Sequence, residues 1–209
     1  MGSPSAAPGI WASTPTGAAI QWLRDGLGII SSTAEAGPLA ASVPDSGGVT
    51  FVPALTGLGS PWWDPRARGI VTGLTRGVGR AQLARACVEG MAFQVRDMTD
   101  AMAAASVHPL TALRADGGAA AMDLLLELQA EQSRMTVARP ASLESTALGA
   151  ATVAGLAEGM WSSLGELAGL WGAASVFEPQ LPIELTDAVH DVWRRAVEKS
   201  RGWAAPDPS

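Results

Sequence analysis

Leu-Thr-Ala-Leu-Arg-Ala-Asp-Gly-Gly-Ala-Ala-Ala-Met-Asp, residues 110–123, is the stretch whose reading decides the fold. Leu110, Ala112 and Leu113 form a short apolar run of the kind a buried strand carries. Beyond the turn, Leu124, Leu125, Leu126 and Leu128 open a helical apolar face. Between the two stand Asp116, Gly117 and Gly118. A glycine doublet at a strand-to-helix junction admits positive φ and carries no Cβ, so a flat ligand can lie against the backbone. The helix start that follows offers free N–H groups and a positive dipole end to an anion or polar ligand. The same doublet also serves as a sharp connection that holds no ligand. Alone, it nominates nucleotide binding and leaves the plain turn open.

Working outward, the pattern predicts a central helix over about 119–133 and a strand at Met135–Ala138 that ends by Pro140. A helix rich in Ala and Gly runs from about 145 to Glu158, suited to close packing against another backbone. Trp161, Leu164, Leu167, Leu170 and Trp171 make a short amphipathic segment. Pro179 and Pro182 mark a loop, and a last helix spans about Glu184–Arg201 with Val189, Val192, Trp193 and Val197 on one side. Upstream, the longest helix covers Gln82 to about Ser106, its apolar face including Leu83, Cys87, Met91 and Phe93, with Glu89 and Gln94 close to that face. Strands are expected at Val49–Leu55 and Gly69–Leu74. The loop between them holds Trp62 and Trp63, which either plug it onto the body or wall a ligand. From Gly17, a helix carries Ile20, Leu23, Leu27 and Ile30 at three- and four-residue spacing, weakened by Gly26 and Gly28, with Gln21, Arg24 and Asp25 off its core face. Strands alternating with helices argue α/β. Four strands are few for so many helices, which points to part of a larger molecule.

Of the 209 residues, 47% are apolar and 16% charged, enough for a buried core and against general disorder. The net charge is -6, with no Lys/Arg cluster beyond Arg194–Arg195 and scattered arginines near 66–85, so no nucleic-acid partner is expected. Cys87 is the only cysteine, which excludes an intramolecular disulfide and a cysteine-built metal cluster. The two histidines, His108 in a loop and His190 on a polar-rich helix, read as surface residues, and no metal ligands are assigned. No apolar run approaches the roughly 20 residues a membrane span needs. Met1–Pro8 lacks the pattern of a secretory signal, which makes cytoplasm the default expectation.

The family resemblance rests on five blocks in order across residues 17–171. Gly17-Ala-Ala-Ile-Gln21-Trp-Leu-Arg-Asp25 is similar to a helix of glycerol kinases, and residues 51–69, FVPALTGLGSPWWDPRARG, resemble their loop block, continued by Gly73–Gly77. Gly69 through Glu89 nearly fits a signature of the FGGY carbohydrate kinases, with Cys87 off-pattern. Asp116-Gly117-Gly118 and Thr146–Ala151 complete the set.

The resemblance implies the C-terminal half of an actin/hexokinase-like enzyme of two RNase H-like domains. Residues 1–16 would be a poorly ordered lead, 17–203 the nucleotide-binding domain with a small mixed sheet packed by several helices, and 204–209 a tail. It implies ATP with Mg²⁺, nucleotide in the cleft between the domains, and transfer of the γ-phosphoryl group to a polyol hydroxyl.

By motif, Gly17, Gln21 and Gly118 match positions that contact ATP. Met122 stands where those kinases usually carry an Asn beside the adenine, and a thioether lacks the amide's donor and acceptor. The polyol-binding residues, the Asp general base and the phosphate-binding Gly-Thr-Gly loop belong to the N-terminal domain of such kinases. No catalytic residue is therefore assigned here, and glycerol is expected to bind only with that domain. Half of another FGGY kinase such as a xylulokinase, or a non-catalytic nucleotide- or partner-binding module, remain alternatives; a dinucleotide dehydrogenase fits poorly for want of GxGxxG spacing. Exposure of the first helix and of the 145–158 helix predicts self-association.

Overall fold

One long helix, α3 (Arg80–Ala105), organises the chain. Gly79 begins it, with the Gln82 side chain reaching back to accept the Gly79 N–H at 3.0 Å. Its middle lies so close to strand β1 (Thr50–Val52) that a Cβ on Gly90 would stand 2.3 Å from the Phe51 carbonyl oxygen. Only glycine permits that approach. On the same helix, Glu89 takes Arg85 as its ion-pair partner at 2.8 Å.

The computed structural model describes residues 16–143, 145–169 and 172–204; the expected lead up to residue 15, the tail beyond Ala204, Leu170 and Trp171 lie outside the described residues. Within them the architecture is mixed α/β. Strand β1 pairs antiparallel with β2 (Ile70–Thr72), Thr50 opposite Thr72. A second sheet has the order β3 (Ala112–Arg114), β4 (Thr136–Pro140), β5 (Ala173–Phe177). β3 and β4 run parallel, connected through helix α4 (Asp123–Ser133), and β5 closes antiparallel on β4. β5 falls in a stretch to which the sequence pattern assigned no element. It is an edge strand of small, largely exposed residues, so no apolar alternation betrays it.

Helix α1 (Thr16–Asp25) ends earlier than the apolar spacing implied. Gly28 at φ 64° terminates it; Ile30 still reaches the core, whereas Leu27 faces solvent. A six-residue helix, α2 (Ala36–Ala41), adds an element that the sequence pattern did not mark. Helices α5 (Ser145–Ala157) and α6 (Leu164–Gly169) follow β4, the first joined to its neighbourhood by the Trp161 ring lying over Gly155.

The last helix, α7 (Ile183–Ser200), corrects two expectations. His190 is buried, not a surface residue: its Nε2 lies 2.7 Å from Asp97 Oδ1 on α3. The core face of α7 consists of Thr186, His190, Trp193 and Val197, while Val189 and Val192 point outward. The other oxygen of Asp97 accepts the indole N–H of Trp193 at 2.8 Å and of Trp62 at 3.2 Å. The two loop tryptophans thus divide. Trp62 plugs the loop onto the body beneath the Arg201 guanidinium, and Trp63 is 76% exposed.

One position along, Arg96 is also buried and donates to Gln132 Oε1 on α4 (3.2 Å), to the Thr186 carbonyl (3.1 Å) and to Asp187 on α7. Arg134 joins it on Asp187, and the two guanidinium groups hold that carboxyl below the usual carboxylate range.

Replacing Asp97 by Ala strands two indole N–H groups and a ring nitrogen inside the protein. We expect a loss of about 3 kcal/mol in urea unfolding, from desolvated donors left unmade. Asp97→Asn, which keeps an acceptor oxygen, is expected to lose less; equal midpoints for wild type and Asp97→Ala would contradict the hub.

Candidate functional site

The turn after β3 is built from backbone constraints. Ala115 N–H continues the ladder to the Ala138 carbonyl (3.0 Å), and Gly117 N–H donates to the Leu143 carbonyl (3.0 Å). Gly117 adopts φ 79°, which a side chain resists. A 3-10 turn, Gly118–Ala121, then feeds α4. A Cβ built on Gly117 or Gly118 meets no atom within 4 Å, so the doublet bends the chain and leaves a bare floor facing open space.

That floor belongs to a groove of about 910 Å³. Volumes of this order hold a ligand of nucleotide size. Residues 116–119 and 121–124 form its base; α1 supplies one wall through Gly17, Ile20 and Gln21, and the segment at 33–41 the other through Thr33, Gly37 and Pro38. The four residues singled out in the sequence, Gly17, Gln21, Gly118 and Met122, all line it. Gly17 has open space where a Cβ would stand, and Gln21 is exposed with no hydrogen-bond partner for its amide among the described residues. Met122 lies half-buried across the floor, its Cγ 3.0 Å from the place a Cβ of Gly37 would take. Its lining is mostly apolar, with Asp116 and Asp123 the acidic members.

Two features of the site escaped the sequence. The wall at 33–41 has no periodic pattern, because α2 is six residues long and contains Gly37 and Pro38. It is fixed instead by Glu35, which accepts the Ser31 N–H (2.7 Å) and hydroxyl (2.8 Å) and faces Arg80 at 3.6 Å. The Ser31 bonds hold the Glu35 carboxyl below its ordinary range.

Arg139 on β4 is the second. Its guanidinium donates to Asp123 (2.6 Å), to the Ala120 carbonyl (3.1 Å) and to Ser175 Oγ (3.0 Å), and stacks over Phe177. It clamps the turn from beneath the groove.

Comparison with known proteins gives this geometry a family. The chain belongs to the FGGY family of carbohydrate kinases: the model of that family's C-terminal domain matches residues 12–158. It is similar to the glycerol kinase of Aromatoleum aromaticum, 54% identical over 189 residues covering 90% of this chain and 38% of that protein. Against glycerol kinase 2 of Sulfolobus acidocaldarius the identity is 48%, over 90% of this chain and 38% of the relative. The chain therefore spans 38% of the length of these relatives. Among solved structures, the fold is similar to Plasmodium falciparum glycerol kinase with ADP (TM-score 0.79, 29% identity, 88% of this chain and 37% of that one). A ligand-bound xylulose kinase from Lactobacillus acidophilus follows at TM-score 0.71 and 25% identity, covering 89% of this chain and 39% of that one.

Because Arg139 ties β4 to the turn through both Asp123 and the Ala120 carbonyl, Arg139→Ala should loosen it. We expect amide hydrogen exchange at 120–124 to accelerate roughly tenfold or more, the loss of a charge-assisted hydrogen bond or two. Unchanged protection in that segment would contradict the clamp.

Proposed function

We propose that these residues form the nucleotide-binding half of an ATP-dependent glycerol kinase. The observation that carries the reading is the single groove uniting Gly17, Gln21, Gly118 and Met122 over a floor without side chains. In this reading the nucleotide lies against the Gly117–Gly118 backbone, and the free Gln21 amide hydrogen-bonds it from the α1 wall. Met122 offers the base an apolar surface where an amide would have offered a hydrogen-bonding edge. The working unit is residues 17–203, acting in the cytoplasm; no helix among the described residues is long and apolar enough to cross a membrane.

The reaction transfers the γ-phosphoryl group of ATP to a glycerol hydroxyl, giving glycerol 3-phosphate and ADP. Phosphoryl transfer depends on positioning and on electrostatic stabilisation of the moving group. Mg²⁺ is the family's companion to ATP. Among the described residues no group of three or more His, Cys, Asp or Glu side chains could hold an ion, so no step is assigned to a metal held by this chain. Polyol binding and the general base fall to sequence outside the 209 residues, as a chain matching 38% of its relatives' length suggests.

A surface for that second domain is available. α5 is apolar around its circumference, with Leu148 and Val153 exposed. Left uncovered, such a face drives self-association. Identity of 54% and 48% to two glycerol kinases, together with the higher likeness to a solved glycerol kinase (TM-score 0.79, 29% identity) than to a solved xylulose kinase (0.71, 25%), favours glycerol over a sugar as the acceptor.

Isothermal titration with ADP and ATP tests the proposal. Saturable binding is expected, abolished by Gly118→Val, with no turnover of glycerol by this polypeptide in ATP and Mg²⁺. Failure of both nucleotides to bind would leave the non-catalytic interaction module standing instead. In the same titration, Met122→Asn should tighten adenine nucleotides up to about tenfold, the range of one added hydrogen bond. Unchanged or weaker binding would show that position 122 does not face the base.

A further inference from the structure

Among the described residues, the groove is lined by four polar side chains, Gln21, Thr33, Asp116 and Asp123, and by no lysine or arginine. The four are not equivalent. The Asp123 carboxylate is held by Arg139 at 2.6 Å. Gln21 is exposed, and no partner among the described residues fixes the turn of its amide, which presents a donor and an acceptor alike. Thr33, exposed on the opposite wall, has a hydroxyl that donates or accepts as required. Asp116 differs in kind. Its carboxylate only accepts, it lies half-buried at the β3 end of the glycine turn, and it makes no hydrogen bond or ion pair among the described residues.

An acceptor of fixed polarity selects for a donor and against an anion. Asp116 therefore repels phosphate, and no cationic side chain of the lining offsets it. The other end of the groove is apolar, with Ile20, Pro38 and Met122, the last packed against Gly37. An apolar pocket binds a base by its area and separates bases of similar size weakly, whereas a site that hydrogen-bonds a group strongly rejects the analogue lacking it. Adenine carries an amino donor where guanine and hypoxanthine carry a carbonyl acceptor. The Gln21 amide, free to turn, matches either. Ribose hydroxyls are donors that every ribonucleotide carries beside its base, and a carboxylate is a familiar partner of the 2′-hydroxyl in nucleotide sites. We propose that the groove selects its nucleotide by the sugar and not by the base: Asp116 accepts from the ribose hydroxyls, while the base lies against Met122 with its edge unread. The inference rests on the nucleotide reading above and adds the class of ligand, a purine ribonucleotide of either edge pattern.

Titration calorimetry with ADP, IDP, GDP and 2′,3′-dideoxyADP, each with and without Mg²⁺, tests it. ADP, IDP and GDP are expected to bind within about threefold of one another, the weak discrimination of an apolar pocket. The dideoxy analogue should bind about tenfold or more weaker than ADP, the range of a hydrogen bond to a charged group. Asp116→Ala should bring the ratio of ADP to dideoxyADP affinity close to one and leave the ratio of ADP to IDP unchanged. Asp116 makes no bond within the described fold, and unchanged far-UV circular dichroism confirms that the variant folds. Equal affinity for ADP and dideoxyADP in the wild type, or a difference that survives Asp116→Ala, overturns the proposal. So does a preference for ADP over IDP and GDP of more than about tenfold. An effect of Asp116→Ala seen only with Mg²⁺, and equally on ADP and dideoxyADP, would set the carboxylate beside the phosphates and overturns it too. In all these outcomes ADP still binds and the nucleotide reading stands; failure of all four ligands to bind removes both.

Discussion

Two adjacent side chains on α3 bind α4, α7 and the 55–65 loop into one frame behind the groove. Asp97 gathers three ring nitrogens, from Trp62, His190 and Trp193, and so locks the 55–65 loop and α7 to the long helix. Arg96 turns to the neighbouring side and ties α4 and α7 together through Gln132, the Thr186 carbonyl and Asp187. Buried polar groups of this kind cost stability unless every partner is in place. With the partners present, they permit one arrangement of three helices. The start of α4, and with it the glycine turn, is fixed by that arrangement.

The groove is a consequence of what glycine omits. Gly117 takes a backbone conformation that side chains resist, and Gly118 leaves the floor empty where a Cβ would project. Arg139 holds the turn from below by its backbone carbonyl and by Asp123, leaving the upper surface free. Gly37 performs a comparable service on the opposite wall, giving way to Met122. Shape is thus set by the backbone and the clamp, while Gln21 and Met122 supply the chemistry that faces a ligand.

Much of this was legible in the residues. The strand, glycine doublet and leucine face at 110–128 carried enough local signal to place the turn, and the long apolar face from Leu83 onward marked α3. The four site residues named from sequence share one groove. Other features left no local trace. His190 looked like a surface residue because its partner is on another helix, 93 positions away in the chain. On α7, the valines at 189 and 192 suggested the core face, yet the core is built around Trp193, His190 and Thr186. A short α2 and an edge strand β5 lack the periodicity on which such reading depends. Arg139 was invisible for the same reason as His190: its role is a set of long-range contacts.

An amide chemical-shift titration with ADP tests the central claim most directly, because it reports location as well as affinity. The account predicts perturbations concentrated at Gly17, Gln21, Gly117, Gly118 and Met122, with the α7 amides unmoved. Saturable shifts centred elsewhere, with the glycine turn silent, would contradict it.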